Sequence, residues 1–217
     1  SAEPGKAFTS VTYSNLYFRE PESRADQTRM MSIVTTGAET GYYVDVFRSR
    51  KEKGGDKMHD YFYHNLGQTL TLTAADGSDL NLQPTEELAF AGAHLYAYSY
   101  LYDKKVAATA KDVKATFTID MKDKDGDDIY MNLWMKGEPD REVFTALAPM
   151  TEGLSRTPNM PYNIKEQPTL TFVARQHGEA WNRPFVSIYE PSTKKEPSAI
   201  QSVSYFDAEG AGLEDFA

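Results

Sequence analysis

No cysteine occurs anywhere in the 217 residues. That excludes disulfides, a thiolate nucleophile and every zinc site that needs sulfur, so any metal would rest on histidine and carboxylate ligands. Long apolar runs are missing as well. No stretch approaches the roughly 18 consecutive apolar residues of a membrane span, and no basic start followed by an apolar core marks a signal peptide. Positive charge is in deficit, with 23 Lys and Arg against 32 Asp and Glu, for a net charge of −9. A general affinity for nucleic acid needs a basic footprint, which this chain lacks. Helical spacing is nearly absent, with short candidates only at Thr85–Phe90 and Asp103–Lys111. The chain opens Ser-Ala-Glu-Pro-Gly without a Met, as a processed or excised chain would.

What is present is alternation. Ala115, Phe117, Ile119 and Met121 share one face of a strand whose other face carries Thr116, Thr118 and Asp120. After a turn rich in Asp and Gly, Ile129, Met131, Leu133 and Met135 share a face again, which predicts a β-hairpin with one buried side. The Asp123–Asp128 turn resembles the start of a calcium loop, but Trp134 stands where the closing Glu should be, so an EF-hand is excluded. Similar runs occur at Phe8–Phe18, Thr28–Thr36, Gly41–Arg48, Asp60–Leu66, Thr69–Thr73, Val143–Leu147, Thr169–Arg175, Phe185–Tyr189 and Ile200–Phe206. About a dozen such segments predict an all-β fold, an antiparallel β-sandwich with few short helices. Residues 1–217 read as one domain, with Pro149–Pro168 as a long loop and a fraying tail at Ala208–Ala217.

The residues able to do chemistry are densest between Gly41 and Gly67. Asp45 shares a strand face with Tyr43 and Phe47, and a carboxylate there needs a cation or hydrogen-bond donors if it is buried. His59 and His64 lie on the next strand and point to opposite faces. Were the two strands a hairpin, one histidine would join Asp45, either as two ligands of a metal or as an Asp–His hydrogen bond. Between them, Arg48–Lys57 is the one basic concentration, able to attract a sulfated or uronate sugar or simply to form a solvated hairpin loop. Tyr96, Tyr98, Tyr100 and Tyr102 would line one face of a strand, either as a carbohydrate platform or as packing between sheets. Tyr98 and His59 are candidates to move protons. Trp134 is a further candidate sugar platform.

Taken together, Tyr42–Arg48, Gly54-Gly55, His59–Gly67, Glu179–Phe185 and Ile188–Pro191 resemble the C-terminal β-sandwich of heparinase II/III-like polysaccharide lyases, especially the Bacteroidetes type. The resemblance runs from about Thr28 to Val203. It implies a larger bacterial protein, periplasmic or secreted, in which an N-terminal α-helical toroid carries most catalytic groups. The sandwich would close the cleft over an acidic polysaccharide such as a glycosaminoglycan. Such lyases remove the proton at C5 of a uronate and expel the 4-linked sugar. By the same resemblance Asp45 and His64 match metal ligands, for zinc or calcium, although no histidine occupies Ala25–Met30, where the family usually has one. The candidate substrate-binding residues read from the sequence itself are Arg48, Tyr96, Tyr98, Tyr100 and Trp134. The chain is then expected to be catalytically incomplete alone; the alternative is a non-catalytic carbohydrate-binding or structural module.

Overall fold

Alternation becomes strand nearly everywhere it was read. The computed structural model describes residues 10–51, 53, 55–89, 92–121, 127–151 and 167–205. Among these, the strands are β1 (Val11–Arg19), β2 (Asp26–Thr35), β3 (Gly41–Arg50), β4 (Met58–Asn65), β5 (Thr69–Ala74), β6 (Gln83–Pro84), β7 (Tyr102–Ala108), β8 (Val113–Ile119), β9 (Ile129–Met135), β10 (Arg141–Ala148), β11 (Thr169–His177) and β12 (Ala180–Thr193). They pair antiparallel into a seven-stranded sheet, β1-β2-β3-β12-β9-β8-β5, and a five-stranded sheet, β4-β11-β10-β7-β6. The fold is an all-β sandwich, as expected.

The predicted β8–β9 hairpin forms, with Phe117 opposite Met131 and Ile119 opposite Ile129. Its inward faces deliver Phe117 and Leu133 to the space between the sheets, where Phe172 and Phe185 meet them with essentially no exposure. A second apolar layer lies on the outer face of the five-stranded sheet. There Phe144, Ala146 and Val173 are covered by Leu88 and Leu101. Residues 85–89 and 92–101 thus form a strap over that face.

Several local expectations fail for physical reasons. The Tyr-rich stretch is not a strand but a 3₁₀ helix, Ala93–Tyr100. Its inward residues do not follow a period of two: Tyr98 and the C-cap residue Leu101 pack on the sheet, and Leu95 is half-buried. Asp103–Lys111, read as helical, supplies β7 instead, and Thr85–Ala89 is not helical. Ile200–Tyr205 pairs with no strand. Most of Pro149–Pro168, and Ala208–Ala217, lie outside the described residues.

The two sheets are unequal in width, which matters for the surface. Tyr61 of β4 reaches Asp45 on β3 and Ser187 on β12, and among the described residues no strand of the five-stranded sheet pairs with or lies broadly against β1 and β2. Leu16, Phe18, Met31 and Ile33 are 66%, 50%, 44% and 47% exposed on the inner face of those two strands.

Candidate functional site

The two weak catalytic candidates, His59 and Tyr98, line one cleft of about 680 Å³. It opens where the β1–β2 turn, the β3–β4 loop, the first residues of β4 and the strap come together. β4 is an edge strand, and His59 and Asp60 alternate across it, so the cleft has chemistry on both sides of that edge. On one side His59 Nε2 lies 2.5 Å from Asp56 Oδ1, and the same oxygen accepts the Lys51 backbone N–H at 2.6 Å. Both side chains are mostly buried. A carboxylate that fixes one ring nitrogen of a histidine sets its tautomer and orientation, the arrangement of a general acid or base. Lys51 and Lys57 stand on the rim.

On the other side Arg175 grips Asp60 through two parallel bonds, Nε–Oδ1 2.7 Å and Nη2–Oδ2 2.8 Å, and reaches Glu87 at 3.3 Å. Tyr98 donates its hydroxyl to Asp60 at 2.7 Å. Burial, and next the Asp60 charge, push the Tyr98 phenol well above its ordinary value. A phenol so held is a poor proton acceptor, and Tyr98 serves to tie the strap to β4. Of the two proton-moving candidates the geometry favours His59.

Asp45 and His64 are not brought together. β3 lies between β2 and β12, whereas β4 pairs with β11, so the conditional hairpin does not exist. Asp45 faces inward with no exposure. Its oxygens accept Arg29 Nε at 3.0 Å, Arg29 Nη2 at 2.5 Å and the Tyr61 hydroxyl at 2.6 Å. Tyr61 also meets Tyr189 and Ser187. The hydrogen bonds it donates to Asp45 raise the Arg29 guanidinium above its usual value, and burial raises Tyr61. His64 stands on the opposite face of β4 from Tyr61, with Nδ1 2.9 Å from Thr171 Oγ1 and its ring near Phe62. Desolvation of that ring holds it below the ordinary histidine value. Among the described residues no three His, Asp or Glu side chains converge. The structure holds Asp45 and His64 on different sides of β4, and the cation beside Asp45 is Arg29.

The remaining candidates divide by exposure. Trp134 is 4% exposed, with Lys114 Nζ 4.9 Å from its ring centroid on a face bordered by Gln201–Val203, so it offers no flat surface to a sugar. Arg48 is half-buried and donates to the Trp181 carbonyl, and burial lowers its guanidinium. It pins the β12 end rather than the cleft. Tyr96 and Tyr100 are exposed. Sequence reasoning passed over Arg29, Asp56, Asp60 and Arg175 as site residues. The legible signal for Arg29 was a lone cation inside the alternating run Thr28–Thr36.

No family model matches the chain. It is similar to an endo-acting ulvan lyase of Formosa agariphila, with 33% identity over 196 residues. The match takes in 88% of this chain but 22% of that protein, so the chain spans about a fifth of the relative's length. A polysaccharide lyase is thus related to this sandwich over most of its sequence. Among the described residues no helix is long and apolar enough to cross a membrane.

Proposed function

We propose that this chain is the β-sandwich part of a heparinase II/III-like lyase that cleaves an acidic, uronate-containing polysaccharide by β-elimination. The observation that carries the reading is the similarity to the ulvan lyase over 88% of the chain. β-Elimination at a uronate needs a neutralised carboxylate, a base for the C5 proton and an acid for the departing oxygen. The cleft supports part of that set. His59, oriented by Asp56, moves a proton, and the rim lysines Lys51 and Lys57 meet the carboxylate. The other groups come from a helical domain of the same polypeptide, seated on the apolar face of Leu16, Phe18, Met31 and Ile33. On this reading the sandwich alone is inactive, and the protein works in the periplasm or outside the cell, where polysaccharide is met.

The test is product formation. The complete protein is incubated with ulvan and with other uronate polysaccharides, and the ultraviolet absorbance of the unsaturated product is followed. His59→Ala is expected to lower kcat by about 100-fold or more, the usual contribution of a positioned general base or acid. Full turnover in His59→Ala removes His59 from the chemistry. No product from the unsubstituted protein on any acidic polysaccharide overturns the lyase reading. A second reading, a carbohydrate-binding module without chemistry, is favoured by the exposed rings of Tyr96 and Tyr100 and predicts binding that survives His59→Ala.

A further inference from the structure

The two edges of the five-stranded sheet are built differently. β6 is two residues long and ends in Pro84, which has no N–H to offer a further strand. β4 runs for eight residues with no Lys and no Pro, and its pairing with β11 is continuous from Met58 to Asn65 without a bulge. Its one acidic side chain, Asp60, is held by Arg175 of β11. Short length, Lys, Pro and bulges are the usual means of keeping an edge strand from taking on another, and β4 uses none of them. Among the described residues β11 is its one strand partner, so every second residue of β4 turns its N–H and C=O away from the sheet.

That free edge looks over the exposed face of β1 and β2. On one side of β4, β11 contacts β12 and β5, whereas Tyr61 of β4 reaches Asp45 on β3 and Arg29 on β2. The side of β4 away from β11 is therefore turned toward β2 and β1. The register sets Leu16 opposite Arg29 and Phe18 opposite Gln27, and sets Met31 and Ile33 opposite Asp45 and Tyr43. Leu16, Phe18, Met31 and Ile33 thus continue the inner surface that carries Asp45, and they continue it into solvent. At about 4.8 Å between neighbouring strands, β1 and β2 form a shelf roughly 10 Å wide.

We propose that an extended segment of the same polypeptide, from outside these 217 residues, pairs with the free edge of β4 and lays its apolar side chains on Leu16, Phe18, Met31 and Ile33. The chain spans about a fifth of the length of the lyase it resembles, so a complete protein of that kind has the chain to supply such a segment. Strand addition meets both needs of this surface at once: the backbone groups of β4 gain partners, and alternate side chains cover the shelf. A helix laid on the shelf would bury the apolar side chains and leave the β4 edge unpaired. The proposal rests on the reading of this chain as one part of a larger lyase and refines it: the helical domain meets the sandwich through a strand.

The experiment follows hydrogen exchange at the amides of residues 58–65 in the complete protein and in this chain alone. The alternate amides that β11 does not bond are expected to exchange roughly 100-fold or more slowly in the complete protein than in the chain alone, as amides drawn into a ladder do. Leu16→Asp combined with Ile33→Asp, two exposed positions, is expected to return them to the rate of the chain alone, while the amides bonded to β11 stay protected. Equal rates in the complete protein and the chain alone overturn the proposal, whether the shelf is then bare or covered by a helix. Protection already present in the chain alone also overturns it, because only the chain itself or a second copy could supply it. Lyase turnover is read on the same complete protein. Product without protection of β4 removes the strand and leaves the lyase reading; protection without product on any acidic polysaccharide removes the lyase reading and leaves the strand.

Discussion

Arg29 reaches Asp45 from a half-exposed position, with 46% of its side chain in water, whereas Asp45 itself is sealed. The two partners are therefore not equivalent when one is removed. Arg29→Ala leaves a carboxylate inside the sandwich with only the Tyr61 hydroxyl, and is expected to destabilise by about 3–5 kcal/mol. Asp45→Asn keeps an acceptor for Tyr61 and lets Arg29 turn toward water, for about 1–2 kcal/mol. Urea denaturation of both variants checks the ordering; equal losses would contradict it. Arg141 meets burial differently. It is 2% exposed, yet among the described residues no carboxylate hydrogen-bonds it: the guanidinium donates to the Gln176 side chain and to the carbonyls of Lys136, Arg183 and Pro184, above the ring of Phe185. Burial lowers it to about 10. Arg141→Met strands several buried acceptors at once and is expected to lose at least about 3 kcal/mol by the same measurement. In each case the sequence shows an arginine, and the packing around it decides what its loss does.

At the scale of the element, the strap shows how a short segment acquires a face. Tyr98 and the C-cap residue Leu101 turn onto the sheet, where Phe62, Phe144 and Val173 receive them, while Leu95 lines the cleft. Leu101→Ala is expected to loosen the whole strap, raising amide exchange from residues 95–101, with a stability loss of about 2–5 kcal/mol. Tyr98→Phe removes only the bond to Asp60 and is expected to cost about 0.5–1.5 kcal/mol. Tyr96→Ala, on the outward side, should stay within about 0.5 kcal/mol. Hydrogen exchange and denaturation on the three variants test that order. If Tyr96→Ala loosens the strap as much as Leu101→Ala, the inward face has been assigned to the wrong residues. The Tyr stripe looked like a strand because Tyr96, Tyr98, Tyr100 and Tyr102 recur at every second position. The contacts that hold the strap are those of Tyr98 and Leu101, three residues apart.

Across the whole molecule the tyrosines give a shared pH dependence. Burial raises Tyr63 from 10.0 to about 12. Tyr61, Tyr98, Tyr189 and Tyr205 are raised as well, burial being the first cause in each. The fold thus favours the neutral phenol. Below pH 10 the phenols are neutral in folded and unfolded chains alike, and their contribution is complete. As pH rises from 10 toward the folded values, the unfolded chain loses protons first and stability falls. The urea midpoint is expected to be flat with respect to these groups up to about pH 9 and to drop between roughly pH 10 and 12, with tyrosinate absorbance appearing together with unfolding. A midpoint unchanged at pH 12 would contradict it.

Local alternation in the sequence determined the all-β class, the β8–β9 hairpin with its buried side, the face that Asp45 shares with Phe47, and the requirement that a buried Asp45 find a cation or hydrogen-bond donors. Each is a statement about neighbours a few positions apart, which a period of two records directly. Only the tertiary structure decided that Arg29 is that cation, that β3 and β4 part into different sheets, that Trp134 is covered, and that His59 and Tyr98 share a cleft. Those outcomes depend on strands far apart in sequence meeting across a sandwich of unequal sheets, and alternation alone carries no record of which strands will meet.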